Sequence, residues 1–151
     1  GICGVQDPQI RQNIVENEII KNGLKIPILI HPNAVIAHDF KPKKGLMIFS
    51  GVNISYNVTI EKYVLISFNC LIGHDCTMGD YSSLLPTSTI DGKCKVGYKS
   101  IIGTGVVIHP GVSVGNESIV GIGTVLINNV EDNITVVNMP KLVKYSKKYD
   151  S

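Results

Sequence analysis

A six-residue period runs through most of this chain and restricts what it can fold into. Cut from His31, the sequence falls into seventeen blocks in one register, opening HPNAVI, AHDFKP, KKGLMI, FSGVNI and closing GIGTVL, INNVED. The last position of the first sixteen blocks runs Ile36, Pro42, Ile48, Ile54 and onward to Val120 and Leu126, and only Pro42 is not a large aliphatic residue. Two places earlier stands a second column, mostly small: Ala34, Val52, Val58, Val64, Cys70, Cys76, Ser82 and on to Thr124, with Phe40 and Leu46 larger at the start. A large and a small residue two apart share one side of a short strand. Gly, Asn, Asp or Lys elsewhere in each block suits a tight corner that requires a positive φ. Three such strands close a triangular coil of 18 residues, so the 102 residues from 31 to 132 make about 5.7 coils. At about 4.8 Å per coil that is a prism about 27 Å tall.

The flanks divide the chain into three parts. Residues 1–30 read as a short helical segment: Asp7 caps, Pro8 fits the first turn, Ile10, Ile14 and Leu24 supply an apolar edge, and Asn22-Gly23 ends it. Residues 31–132 are the coil, and 133–151 a C-terminal tail. A coil end exposes backbone groups and apolar surface, which the flanks are expected to cover. With 151 residues, 44% hydrophobic and 17% charged, the chain has the size and composition of one packed domain. A net charge of +2 builds no phosphate-tracking surface, which argues against nucleic acid. No apolar stretch approaches the roughly 20 residues of a membrane span, and no signal peptide opens the chain, so the expectation is a cytoplasmic protein away from membranes. The opening Gly1-Ile2-Cys3-Gly4, without Met, leads to the expectation that the natural protein starts earlier.

Cys70, Cys76 and Cys94 fall at the small inward position, so core packing outweighs a metal or redox role. Gly103-Thr104-Gly105 and Gly121-Ile122-Gly123 precede no helical pattern, and the repeat accounts for them better than a phosphate loop does. Histidine is more informative. His31 and His109 each precede a proline at a corner. His38 and His74 occupy the same block position two coils apart, each followed by an acid, Asp39 and Asp75, with Tyr56 between them.

The string CLIGHDCTMGDYSSLLP around His74 resembles a motif of the sialic acid O-acetyltransferase and bacterial nucleotide-sugar N-acetyltransferase family, built on hexapeptide repeats. CGVQDPQIR and KIPILIHPNAVI are similar to that family's junction between a sugar-nucleotide domain and the β-helix, so residues 1–30 read as the remnant of such a domain. Asn138-Met139-Pro140-Lys141 loosely resembles its tail motif. Parallel crossovers are right-handed in nearly all folds; the resemblance implies the exception, an all-β, left-handed parallel β-helix. It further implies acetyl transfer from acetyl-coenzyme A to an amine or hydroxyl of a sugar, with no metal, in a homotrimer whose subunits hold coenzyme A between them. His74 would be the general base and Asp75 its support. Aligned positions give Ser83, Thr104 and Ile122 as coenzyme A contacts, Ser83 standing where the family often has a second histidine.

That chemistry suits an imidazole, whose ordinary pKa near 6.5 lets it accept the proton an attacking amine or hydroxyl must lose. A neighbouring carboxylate orients the ring. Two other readings stand beside it. Hexapeptide-repeat carbonic anhydrases hold zinc through three histidines, but Gly79 and Asp80 stand where a third histidine would follow His74. A non-enzymatic trimerising scaffold would use the coil alone, since fold does not give function.

Overall fold

The computed structural model describes residues 1–138. They form a left-handed parallel β-solenoid of about six turns with one short helical segment before it. Each hexapeptide contributes a two-residue strand, and strands pair with those 18 residues away, such as Leu65 with Ser83 and Leu71 with Thr89. Three flat faces result. The first has seven strands, from Leu29–Ile30 through Met47–Ile48, Leu65–Ile66 and Ser83–Leu84 to Thr135–Val136. The second has six, from Val35–Ile36 to Val125–Leu126, and the third four, from Thr59–Ile60 to Ser113–Val114. The third face starts late because the block ending in Pro42 forms no strand. Proline has no N–H to give a parallel ladder.

Both inward columns fill the prism. From Leu46 to Leu126 every residue of each column is buried, the aliphatic ones packing into one continuous core. The hydroxyls of the small column are satisfied internally: Ser100 Oγ donates to Gly115 O at 2.5 Å and accepts from Ser118 N at 3.0 Å. Corners follow the third place of each block. Every such residue from Gly45 to Gly123 has a positive φ, and most are not glycine: Asn57, Tyr63, Asp75, Thr87 and Lys93 are among them. The repetition of one corner overrides the local preference for glycine at those sites.

Two boundaries differ from expectation. The coil begins at Leu29, whose strand pairs with Met47, and it runs on to Val136. Its last turn is two residues short, since Val114 bridges Val130 and Ile119 pairs with Thr135, spacings of 16 in place of 18. The six-residue register therefore slips after Leu126. Asn129 makes the shorter corner possible: its side-chain Oδ1 accepts from Ser113 N at 2.9 Å, a place a backbone carbonyl fills lower in the coil.

The N-terminal segment lies on the first face. Asp7 Oδ1 caps the α-helix Pro8–Asn13 by accepting from Ile10 N at 2.9 Å, and a π-helical stretch Ile14–Ile20 continues it to Gly23, at φ 69°. Of the expected apolar edge, Ile14 packs half-buried against this face while Ile10 and Leu24 are exposed; the buried row is Arg11, Val15 and Ile19, four residues apart on one side of the helix. Val15 and Ile19 pack with Cys3 and with stacked Tyr63 and Tyr81. The tail motif from Met139 onward lies outside the described residues. Among them, no helix is long and apolar enough to cross a membrane.

Burial also sets the thiols. Desolvation pushes Cys70 and Cys94 up and Cys76 up to about 11, and all four cysteines are free and buried. Thiolate is the reactive form. A colorimetric thiol reagent at pH 8 is expected to label native protein at least about tenfold more slowly than protein in denaturant; equal rates would contradict the buried columns.

Candidate active site

His74 sits where the chain turns from the second face into the third, immediately after the strand Leu71–Ile72. The corners above and below it stack in a column at the 18-residue repeat: Tyr56 and Asn57 in the coil before, Gly92 and Lys93 in the coil after. Each level is tied to the next by a backbone bond, Asp75 N to Tyr56 O at 3.2 Å and Lys93 N to His74 O at 2.7 Å. The imidazole lies almost parallel to the Tyr56 ring, with centroids 5.4 Å apart and planes 9° apart. Its edge runs on over Gly92.

The expected pair is formed. His74 Nδ1 and Asp75 Oδ2 are 2.7 Å apart, so the short turn does let adjacent side chains meet. Asp75 has a positive φ, which swings its carboxylate back toward the preceding residue. Hydrogen bonds from His74 and then Asn57, with lesser help from the charges of His74 and Lys93, hold Asp75 below its ordinary carboxylate range. A lowered folded value favours the charged form in the fold. That contribution is present above the unfolded value of 3.8 and is lost as pH falls through the lower folded one. An ionised Asp75 can only accept, so Nδ1 carries the proton and Nε2 is left as the bare lone pair.

An open groove of about 530 Å³ runs along the second face beside this corner, bordered by Asn53, Ser55, Leu71, His74, Asp91, Gly92 and Pro110. Sequence reading did not single out Asn53, Ser55 or Asp91. Asn53 stands 18 residues before Leu71, Ser55 18 before Gly73 and Asp91 18 after Gly73, and those spacings carried the signal, since any residue at the same block place within a coil or two shares the groove.

Gly92 was also missed as a site residue. A Cβ built there would stand 2.5 Å from His74 Nε2 and 2.7 Å from Cε1. Gly92→Ala is therefore expected to swing the imidazole out of line while barely disturbing the fold, because the clash is with the end of a side chain. A melting temperature within about 3 °C of wild type and a loss of at least about tenfold in kcat would be observed in a paired thermal and kinetic assay. Unchanged kcat would mean that the ring's present position is irrelevant to catalysis.

The other expected contacts are not gathered around His74. Ser83 is fully buried beneath the N-terminal segment: its Oγ donates to Gln6 O at 2.6 Å and accepts from Arg11 Nη1 at 3.0 Å. Its hydroxyl makes both of these bonds inside the chain, away from the groove beside His74. Thr104 and Ile122 stack one coil apart at the opposite edge of the second face, two and three coils further along than His74. Gly123 N–H already donates to Thr104 O at 2.9 Å, and Ile122 is exposed. His38 and His74, two coils apart, are separated by about 10 Å. Zinc–nitrogen bonds of about 2.1 Å cannot bridge that gap within one chain. Among the described residues no three His, Cys, Asp or Glu side chains cluster as a metal site.

The three faces differ in what they show to solvent. The N-terminal segment covers much of the first; the third presents Thr59, Thr77, Lys95 and Ser113. The second presents Val35, Leu71, Val107 and Val125, all exposed apolar residues, with Ile122 and Ile127 beside them.

No protein-family model matches the chain. A GDP-perosamine N-acetyltransferase of Escherichia coli O157:H7 is 30% identical over 108 residues, 72% of this chain and 48% of that one, so the chain spans about half the length of this curated relative. Among solved structures, PerB from Caulobacter crescentus in complex with CoA and GDP-perosamine superposes with a TM-score of 0.87 at 27% identity, over 95% of this chain and 69% of that one. The acetyltransferase domain of PglB from Neisseria gonorrhoeae in complex with acetyl coenzyme A gives 0.83 at 27%, over 89% and 65%. The same repeat, the same left-handed coil and 108 residues of related sequence make this chain similar to the hexapeptide-repeat nucleotide-sugar N-acetyltransferases.

Proposed function

We propose that this chain moves an acetyl group from acetyl-coenzyme A to the amine of a nucleotide-linked amino sugar, with His74 as general base. The observation that carries this is the oriented imidazole: Nδ1 committed to Asp75 and Nε2 facing an open groove. The sugar amine attacks the thioester carbonyl carbon, a C–N bond forms, and Nε2 takes the proton the nitrogen loses. The C–S bond then breaks and the departing thiolate recovers that proton. Donors for the carbonyl oxygen would be backbone N–H groups. Relatives solved with CoA, acetyl coenzyme A and GDP-perosamine support the class of both substrates.

The active unit in this reading is a homotrimer. Thr104 and Ile122 are too far along the prism to meet His74 within one chain, and the apolar second face is the side on which a second copy would bury surface. A coenzyme A chain lying in the seam between copies would then touch the Thr104–Ile122 column of one and His74 of its neighbour. Work in the cytoplasm, where acetyl-coenzyme A is made, fits the same reading.

Calorimetric titration of acetyl-coenzyme A into the protein, with thiol release measured against a panel of nucleotide-linked amino sugars, tests the proposal. Binding and turnover on an amino sugar support it. A stable coil that binds no acetyl-coenzyme A would overturn it in favour of the trimerising scaffold, and turnover only on hydroxyl acceptors would overturn the choice of amine.

A further inference from the structure

We infer that Asn57, with Tyr56 beside it, is a positioning residue for His74, holding the base from the coil below through Asp75; this rests on the reading of His74 as general base. Asp75 has two carboxylate oxygens and both are engaged. Oδ2 meets His74 Nδ1 at 2.7 Å, and Oδ1 accepts from Asn57 Nδ2 at 2.5 Å. Asn57 is itself held, since its backbone N–H donates to Asp39 Oδ2 at 2.7 Å from one coil further down. Three coils therefore form one ladder, Asp39 to Asn57 to Asp75, that ends on the imidazole.

The ladder answers a problem set by exposure. His74 and Asp75 lie at a corner where their side chains are 42% and 33% exposed, and a solvent-facing ion pair on its own is worth little and wanders. A carboxylate anchored at one oxygen has lost the freedom to rotate away, so its second oxygen keeps Nδ1 protonated and Nε2 bare. The Tyr56 ring limits tilt on one side of the imidazole, and the missing side chain of Gly92 leaves room on the other. Asn is well chosen for the corner: φ is 54° there, a conformation it adopts more readily than most residues.

The corner also supplies a clean test. Asn57→Gly removes the amide while keeping a residue at ease with positive φ and retaining the N–H that Asp39 accepts. The readout is the tautomer of His74 in long-range proton–nitrogen NMR spectra, with the signals identified by their loss in His74→Gln. Wild type is expected to show the Nδ1-protonated form at neutral pH, and Asn57→Gly a mixture with the Nε2-protonated form. Kinetically, Asn57→Gly is expected to lower kcat on the order of tenfold with KM for acetyl-coenzyme A within about twofold, the scale on which outer partners of a histidine act. Asn57→Asp, which adds a third carboxylate to the ladder, is expected to lose more.

An unchanged tautomer in Asn57→Gly would overturn the inference, even if the melting temperature falls, because a mere staple between coils would lower stability without touching the ring. A wild type with no acetyl transfer to any acceptor would sink the function proposed above, yet the tautomer measurement would still decide whether Asn57 positions His74.

Discussion

His74→Gln is expected to lower kcat for amine acetylation by about three orders of magnitude while leaving the affinity for acetyl-coenzyme A within about twofold. General bases typically contribute about 10²- to 10⁴-fold. The upper part of that range applies here because the whole corner is arranged around one nitrogen. Gln keeps a similar length and can still meet Asp75, so the coil and the groove should survive; what is lost is a group able to take a proton. Stopped assays of thiol release at saturating acceptor give kcat, and calorimetry gives the cofactor affinity independently. Asp75, held below its ordinary carboxylate range by its hydrogen bonds to His74 and Asn57, should add no titration of its own to the wild-type profile near neutral pH. In Asp75→Asn the amide can offer a donor toward Nδ1, favouring the tautomer whose lone pair points away from the groove, and a smaller but clear loss of kcat follows. If His74→Gln retains more than about a tenth of wild-type kcat, the proton leaves by another route and the base is not His74.

Much of this was readable before any coordinates, and the reason is the repeat. A period of six assigns every residue in it a level, a face and an inward or outward direction, so Leu71, His74 and Gly92 were placed relative to one another by counting. The same counting located the thiols of Cys70, Cys76 and Cys94, though not that of Cys3, and the corner where His74 meets Asp75. It failed where the chain leaves the period. Two residues are missing from the last turn, so Val130 rather than residue 132 faces inward, and nothing in block composition announces that Asn129 replaces a backbone carbonyl. Ser83 was given as a coenzyme A contact by aligned position; its block place faces outward, and the N-terminal segment packed on that face buries it. Asn57 was readable as a corner and not as a partner of Asp75, since a side-chain hydrogen bond between levels depends on rotamers that spacing does not specify.

Arg11→Met is expected to cost about 3 kcal/mol and to lower the melting temperature by about 6 to 12 °C, at roughly 2 to 4 °C per kcal/mol for a chain of this size. Sequence analysis did not single out Arg11, which ties the helix to the coil. Arg11 is 1% exposed, and among the described residues no carboxylate forms an ion pair with it. Nε donates to Tyr63 O at 3.0 Å, Nη2 to Tyr81 O and to Ser82 O at 3.0 Å, and Nη1 to Ser83 Oγ, to Val5 O at 2.6 Å and to Gln6 O. Burial lowers the guanidinium to about 10, partly offset by Cys3, Asp7 and Tyr81, so it remains charged at neutral pH. The sign of that shift means that burial alone opposes the charge, and carbonyl dipoles from two segments at once compensate. Met fills the volume and removes the charge, but leaves several buried carbonyls without donors at about 1 kcal/mol or more each. Arg11→Lys should recover little, because three donors on one nitrogen cannot reach both the N-terminal loop and the coil edge that the planar fork spans. Limited proteolysis distinguishes the origin of the loss: cleavage before residue 28 should accelerate in both variants while the coil resists. If the melting temperature of Arg11→Met stays within about 2 °C of wild type, the segment is held by Val15, Ile19 and the stacked Tyr63 and Tyr81, and the buried charge contributes nothing net.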